Sequence, residues 1–410
     1  MSARTPVAPV RLVGAARGGV ASLTQLPPLG LYIHLPWCLK KCPYCDFNSH
    51  EWRGPDDALP ADLESRYVEA LIADLESALP SVWGRSVQTV FIGGGTPSLF
   101  SPEAIDALLA AVRARVRLAA QAEITLEANP GTFETGRFAA FAKAGVTRLS
   151  IGVQSFDDAL LRAIGRVHDG AHARAAVAEA ARHLETFNLD LMYALPGQTL
   201  PMLERDLETA LGFQPPHLSA YHLSLEPNTL FASRPPEGLP DEDLSADMQV
   251  CIEARLAAAG LQRYEVSAFA KSGHRCRHNL NYWQFGDYLG IGAGAHAKIS
   301  SHAGIVRQAR FRHPQRFLEM ALPGAAVETE RQVVASELPF EFMLNALRLV
   351  DGVPASLFAE RTGLSLSAIA APMRRALEAG LLDPDPAVLR ATPRGLDFLN
   401  DLQAMFLASS

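Results

Sequence analysis

Three of the chain's five cysteines crowd into eight positions, Cys38-Leu39-Lys40-Lys41-Cys42-Pro43-Tyr44-Cys45. The spacing is C-x3-C-x2-C, which reads as a ligand set rather than a chance grouping. Thiolates suit both zinc and iron–sulfur sites. A structural zinc site takes four protein ligands, often as two C-x2-C pairs. No fourth Cys or His completes a local set here, since His34 and His50 lie outside the motif. Three thiolates on a [4Fe-4S] cluster leave one iron open. That iron can chelate the amino and carboxylate groups of S-adenosylmethionine (SAM). An electron from the cluster can then cleave the sulfonium C–S bond and release a 5′-deoxyadenosyl radical. Zinc, or a cluster with a purely structural role, are the competing readings of the same three residues.

Such a centre needs strands to carry it. Six β-rich runs recur with helical patterns between them: Gly30–Leu35, Val87–Gly93, Glu123–Ala128, Thr147–Val153, Asn188–Tyr193 and His217–Leu223. Tyr67, Leu71, Leu75 and Leu79 repeat every four residues, with Val68 and Ile72 beside them, the period of a helix buried on one face. Ser101-Pro102 reads as an N-cap followed by proline at the first helical position. Alternating strand and helix implies parallel strands with right-handed crossovers. The expected fold is α/β, a partial (β/α)6 barrel, with an open doubly wound sheet as its rival. In parallel barrels the working groups sit at the strands' C-terminal ends. The three cysteines follow the first run, and Gly93-Gly94-Gly95-Thr96-Pro97 follows the second. Glu127 ends the third run, Gln154 the fourth, and Asp190 lies on the fifth. A charge in an apolar strand is costly unless paired or ligated, so Glu127 and Asp190 call for buried partners.

Beyond the barrel, Asp241–Ala259 reads as a helix ending at Gly260, Arg263–Phe269 as a strand, and the stretch from about Glu330 as mostly helical with a winged-helix-like end. The expected domains are an N-terminal extension (1–28, disordered), a barrel (29–240), a connecting region (241–329) and a helical C-terminal domain (330–410). With 48% hydrophobic and 20% charged residues the composition is that of a globular protein. A net charge of −7 argues against nucleic acid as a partner, and the last helix has only Arg394 as a strong cation. No apolar run is long enough for a membrane span, which leaves peripheral contact open. The odd cysteine count and the missing secretory signal indicate a reducing cytoplasm.

The run Tyr32-Ile33-His34-Leu35-Pro36-Trp37-Cys38 through Phe47 resembles the radical-SAM family of anaerobic coproporphyrinogen III oxidases and their haem-chaperone relatives, and the likeness extends from Leu29 into the C-terminal block. The resemblance implies a [4Fe-4S] cluster on Cys38, Cys42 and Cys45. It implies SAM contacts at Tyr32, Tyr44, Gly94, Gly95, Thr96, Glu127, Gln154, Arg166 and Asp190. Strand packing alone is the alternative reading of Tyr32, and a place on a helix surface the weaker alternative for Arg166. The resemblance also puts Gly290-Ile291-Gly292-Ala293-Gly294-Ala295-His296 beside the adenosyl end of SAM.

Two features choose between the branches of that family. The oxidase branch continues the motif with one more cysteine, where this chain has Phe47. The stretch His278-Asn279-Leu280-Asn281-Tyr282-Trp283 fits H-N-x-x-Y-W, a pattern of the haem-chaperone (HemW-like) branch. Imidazole is a common axial haem ligand, which makes His278 the haem-binding candidate, with His274 and Cys276 as rivals. Arg275 and Arg277, or the group Arg307, Arg310, Arg312, His313 and Arg316, offer guanidinium partners for propionates. In the bland alternative His278 and Asn279 fix a loop under the barrel and the arginines are a solvated face. The function implied is a haem chaperone that binds a cluster, SAM and haem and delivers haem to an acceptor protein. An electron donor joins the partners if SAM is cleaved. Oxygen-independent coproporphyrinogen III oxidation is the enzyme alternative, and a radical-SAM enzyme for an unrelated substrate is a third.

Overall fold

A computed structural model describes residues 23, 25–54, 58–131 and 136–407, together with the two-residue strand Val10–Arg11. The expectation for residues 1–28 lies mostly outside that set.

The six expected strands are all present: β1 (Leu29–Leu35), β2 (Ser86–Gly94), β3 (Arg117–Ala128), β4 (Arg148–Gln154), β5 (Thr186–Tyr193) and β6 (His217–His222). They are hydrogen-bonded in that order and all parallel. Helices α1 (Ala61–Val82), α2 (Pro102–Arg115), α3 (Phe138–Ala144), α4 (Gly170–His183) and α5 (Leu200–Gly212) fill the crossovers. The helix starts are built as the sequence indicates. Ser101 Oγ accepts from Ala104 N, with Pro102 opening α2, and Asp169 caps α4. On α1, Tyr67, Val68, Leu71 and Leu75 are buried.

The strands alternate in a way that separates core from site. Leu31, Ile33 and Leu35 on β1, Ile124 and Leu126 on β3, Leu149, Ile151 and Val153 on β4, and Leu189 and Leu191 on β5 join one hydrophobic core with the helices. Because side chains on a strand point alternately to opposite faces, the intervening residues face the barrel lumen. These are Tyr32 and His34, Thr125 and Glu127, Ser150 and Gly152, Asn188 and Asp190. The lumen face is thus polar, aromatic or glycine, while the outer face is aliphatic.

Downstream residues extend this sheet. After α6 (Glu242–Ala258), which ends at the left-handed Gly260, the region expected as one strand over Arg263–Phe269 is instead a tight hairpin. Strands β7 (Gln262–Glu265) and β8 (Ala268–Ala270) pair antiparallel, and β8 pairs with β6. Val266 and Ser267 form the reversal, with Ser267 N donating to Glu265 Oε1. At the other edge, β9 (Asp287–Ile291) runs parallel to β1, a seventh parallel strand. It is followed antiparallel by β10 (His296–Ser301), β11 (Gly304–Arg310) and β12 (Val327–Gln332). Val10–Arg11 pairs with β12. The resulting 13-stranded sheet is linear in order, with no pairing between its end strands among the described residues, so the barrel is open.

Helix α7 (Arg277–Trp283) carries the H-N-x-x-Y-W residues and packs against β1, β2 and β9. A second core, including Phe342, Phe358, Ile369, Leu389 and Leu402, holds the C-terminal helices together. It contains α8 (Ser356–Thr362) and the small ladder between Val353–Pro354 and Val388–Leu389, a winged-helix-like layout. Among the described residues no helix is long and apolar enough to cross a membrane.

Candidate functional site

The cysteine loop leaves the C-terminal end of β1 and is latched to the end of β2. Gly95 N donates to Leu35 O and Thr96 N to Trp37 O, both at 2.8 Å. A Cβ on Gly95 would lie 2.5 Å from Trp37 O, so the backbones could not close in this way around a larger residue. Inside the loop, Cys45 N donates to Cys42 O at 3.1 Å. Lys41 Nζ folds back on Phe47 O and Ser49 O.

Each of the three thiols has a polar neighbour. Cys38 Sγ accepts from Thr96 Oγ1 at 3.4 Å, Cys42 Sγ from an Arg166 guanidinium nitrogen at 3.6 Å, and Cys45 Sγ is 3.7 Å from Ser49 Oγ. Asn129 joins the first two contacts. Its Nδ2 donates to Thr96 Oγ1 at 2.9 Å and its Oδ1 accepts from Arg166 at 2.6 Å. The relay Cys38–Thr96–Asn129–Arg166–Cys42 ties three strand ends to the loop. Asn129 did not figure among the expected site residues. The signal was its spacing two residues after Glu127, which puts both on the lumen side of β3. Arg166 is not a surface residue, because it also donates to Gly152 O at 2.8 Å. Among the described residues, no three His, Cys, Asp or Glu side chains gather closely enough to hold one metal ion. Burial pushes the Cys38 thiol up to about 11, so iron must displace its proton on binding.

Beside the thiols lies a region of acceptors. Gly94 N is used by Glu127 Oε2 at 3.0 Å, so the amides of Gly94, Gly95 and Thr96 all have protein partners. Thr96 O accepts from Leu99 N, so what they leave for a ligand is the carbonyl oxygen of Gly94 and Gly95, with the Glu127 carboxylate next to it, which suits the N–H donors of an amino group. Across β4, Ser150 Oγ donates to Asp190 Oδ2 and Asn188 Nδ2 to Asp190 Oδ1. Burial raises the pKa of Asp190. Burial, helped by the nearby Asp190 charge, raises Glu127 to about 7, against the opposing effect of the Gly94 N–H. Gln154 closes β4 in the left-handed region, at φ 65°. Backbone strain of that kind costs about 1–3 kcal/mol and collects at functional sites.

The aromatic candidates separate. Tyr44 packs on Phe231 and has its hydroxyl among Cys42 and Arg166, beside the thiol relay. Tyr32 stacks on Phe91 and hydrogen-bonds His34 Nδ1 at 2.9 Å. Burial lowers His34 to about 4, so the imidazole is neutral at pH 7. Its Nε2 faces Asn48 O at 2.9 Å and therefore carries the proton, leaving Nδ1 to accept from the Tyr32 hydroxyl. The glycine-rich segment after β9 supports this corner. Gly292 approaches His34 O, and Gly294 approaches Asn48, where a Cβ would be 2.4 Å and 2.3 Å away respectively. Asn48 Nδ2 in turn donates to Ala293 O and Arg312 O.

His278 lies at the other end of the barrel. A Cβ on Gly30, at the start of β1, would touch its ring. Gly30 to Leu35 is five strand steps, about 16 Å, so His278 and the cysteine loop occupy opposite ends. His278 is 1% exposed. Its Nδ1 bonds Thr89 Oγ1 at 2.8 Å, its Nε2 bonds Tyr282 OH at 3.2 Å, and its ring stacks on Phe91. Burial lowers its pKa to about 3. Cys276 is buried against Glu123. His274 Nδ1 bonds Thr186 Oγ1, and its carbonyl accepts from Arg148. The group of five around Arg310 is not one face. Arg310 is buried on Asp74, while Arg307 bonds Tyr288 and Glu341.

Known proteins share this arrangement. A family model described as the Radical SAM superfamily matches residues 32–210, and one described as the HemN C-terminal domain matches residues 335–398. "Heme chaperone HemW" of Escherichia coli is 48% identical over 388 residues, covering 94% of this chain and 100% of that protein. The protein of that name from Haemophilus influenzae is 45% identical, covering 94% of this chain and 99% of its own length. The mitochondrial "Radical S-adenosyl methionine domain-containing protein 1" of Bos taurus is 37% identical, over 92% and 87%. The solved structure of coproporphyrinogen III oxidase (HemN) from Escherichia coli superposes with a TM-score of 0.78 at 22% identity, covering 93% of this chain and 90% of that one, a likeness of fold. Membership of the radical-SAM superfamily implies a [4Fe-4S] cluster and SAM, and the three-thiol loop with its acceptor-lined neighbour fits both. The chain belongs to the radical-SAM family of coproporphyrinogen III oxidases and haem chaperones, on its HemW branch.

Proposed function

We propose that this protein is a haem carrier built on a radical-SAM site. In this reading it holds a [4Fe-4S] cluster and SAM at the strand ends, takes up haem as cargo and passes it to an acceptor protein in a reducing cytoplasm. The observation that carries the reading is full-length identity of 48% to a protein named as a haem chaperone. Phe47 supports it. The residue is 60% exposed beside the cysteine loop, at the position where the oxidase branch has a further cysteine.

Cys38, Cys42 and Cys45 hold the cluster. The cluster they would hold would, when bound and reduced, be the source of one electron for the SAM sulfonium. Arg166 keeps a positive charge against Cys42 and can turn a free N–H toward a carboxylate, since its Nε has no partner. Thr96 and Asn129 fix the guanidinium and the Cys38 thiol relative to one another. Glu127 and the Gly94 and Gly95 carbonyls receive the N–H groups of the SAM amine. Asp190 is set by Ser150 and Asn188 for a polar contact deeper in the lumen, and Gln154 and Tyr44 border the same space. Tyr32, tied to His34, serves as a wall.

The role of Glu127 makes SAM binding depend on pH. An amine N–H prefers the carboxylate as its acceptor, and Glu127 is half protonated near pH 7 before SAM arrives. SAM affinity therefore rises by roughly tenfold between pH 6 and pH 8 and then levels off. Isothermal titration of the cluster-loaded protein across that range measures it, and Glu127→Gln flattens the profile. A pH-independent affinity in the unmodified protein removes Glu127 from the site of the SAM amino group.

The intact cluster-side relay favours a second reading, oxygen-independent oxidation of coproporphyrinogen III. Phe47 weighs against it. His278 ligates haem only if α7 gives up its contacts with Thr89 and Phe91, so the observed contacts support a structural role for this residue in the haem-free chain. Anaerobic gel filtration with haem tests the carrier reading directly. About one haem per chain co-elutes if it holds, and haem that washes off contradicts it.

A further inference from the structure

A cavity of about 630 Å³ opens at the end of the barrel remote from the cysteines. By contrast the cleft beside Cys42 has about 10 Å³. The larger volume is within the roughly 300–1,000 Å³ usual for small-molecule sites. Its walls come from the N-terminal ends of β1 and β2, from α7 and from α8 of the C-terminal domain. Helix α7 contributes Arg277, Leu280, Asn281 and Gln284. Those positions stand at i, i+3, i+4 and i+7, which is one helix face. The opposite face carries His278 into the barrel. Thr89, which bonds His278, forms part of the cavity wall. An occupant therefore abuts the H-N-x-x-Y-W helix without touching His278.

The cavity is both apolar and positive. Leu26, Pro27, Pro28, Leu29 and Leu280 supply apolar surface. Arg85 is committed to Asp287 Oδ2 and Pro27 O, and Lys298 stands behind it on Asp287 Oδ1. Arg277 spends one nitrogen on Gln121 O, and Arg361 has a buried Nε with no partner. Counting Arg85, Arg277, Arg361 and Lys298 against Asp287 and Glu360, this corner has an excess of two positive charges. An apolar body with two carboxylates would balance that charge and fill the space. Guanidinium groups pair with carboxylates through two parallel hydrogen bonds.

We propose that this seam between barrel and C-terminal domain binds a tetrapyrrole dicarboxylate, with Arg277 and Arg361 pairing its carboxylates and Leu26, Leu29 and Leu280 against its ring. The proposal rests on the haem-carrier reading and gives that reading a location some 16 Å from the strand ends that hold the cysteines. It makes carboxylate recognition separable from iron ligation.

Metal-free protoporphyrin IX has the carboxylates and ring but no iron, and its dimethyl ester lacks the charges. Fluorescence titration of the full-length, cluster-loaded chain with each is the test. The acid binds at least about tenfold more tightly than the ester. The Arg277→Gln/Arg361→Gln double variant loses that advantage, with iron content and unfolding midpoint unchanged. The Arg277→Lys/Arg361→Lys pair, which keeps the charge, restores part of it and serves as the folded control. Equal acid affinity in the double variant and the unmodified chain overturns the proposal. So does haem binding by a chain that ignores the metal-free acid, which leaves the carrier reading standing. A chain that binds neither haem nor the acid overturns both.

Discussion

Replacing Cys42 with alanine removes the iron–sulfur absorption of anaerobically reconstituted protein and drops its iron content from about four per chain to near zero. The expectation follows from ligand count. With three thiolates to hold four irons, no fourth protein ligand is available to compensate. Cys42 is also the thiol against Arg166, so its loss takes away one end of the relay that fixes the loop. Cys251 and Cys276 are controls. Cys251 lies on α6, and Cys276 is enclosed between Glu123 and Tyr264. Alanine at either position leaves the iron in place. Unchanged iron in Cys42→Ala would sink the assignment of the motif.

The second large effect lies in the scaffold. Asp74 on α1 and Arg310 at the end of β11 are each 0% exposed and form an ion pair at 3.3 Å. Asp74 Oδ2 also accepts from Gly292 N at 3.0 Å, in the segment that packs on His34. Burial raises the Asp74 pKa, and the Arg310 charge works against that rise. Asp74→Ala strands a guanidinium in the core, which costs about 3–5 kcal/mol and lowers the unfolding midpoint sharply. Because much of the penalty belongs to the unpaired charge, Asp74→Leu combined with Arg310→Met recovers part of it, the remainder being the Gly292 N–H left without its acceptor. A loss under about 1 kcal/mol in the single variant would mean that the pair contributes no more than a surface salt bridge.

Particular residues show what could be read from the sequence. The barrel strands were legible because two periods are superimposed in them. Aliphatic residues alternate with glycine, aromatics and acids, so Thr125-Leu126-Glu127 and Asn188-Leu189-Asp190 announce both a strand and a site face. The cysteine spacing and the three glycines at the end of β2 were legible for the same reason: their chemistry is local. Asn129 was harder to find, because its role depends on Arg166 and Thr96 arriving from segments far away in the chain. The Asp74–Arg310 pair spans 236 positions, and no local pattern announces it. Strand β9 was hidden because Asp287–Ile291 is short and runs into Gly290 and Gly292, which read as a loop. The hairpin at Val266 and Ser267 lacks glycine or proline at its reversal, so Arg263–Phe269 looked continuous. The arginine group around Arg310 misled for a related reason. Neighbouring residues on β11 point to opposite faces, so Arg310 is buried while Arg307 reaches a glutamate of the C-terminal domain.

A haem carrier must keep its cargo when free haem is separated from it. The most direct measurement is anaerobic reconstitution of the cluster, addition of haem, and gel filtration with both the Soret band and iron content followed. The account predicts that haem elutes with the protein at about one per chain with a shifted Soret band, and that the same preparation with SAM and a reductant leaves coproporphyrinogen III unchanged. Haem that separates from the protein, together with decarboxylation of coproporphyrinogen III, would contradict it.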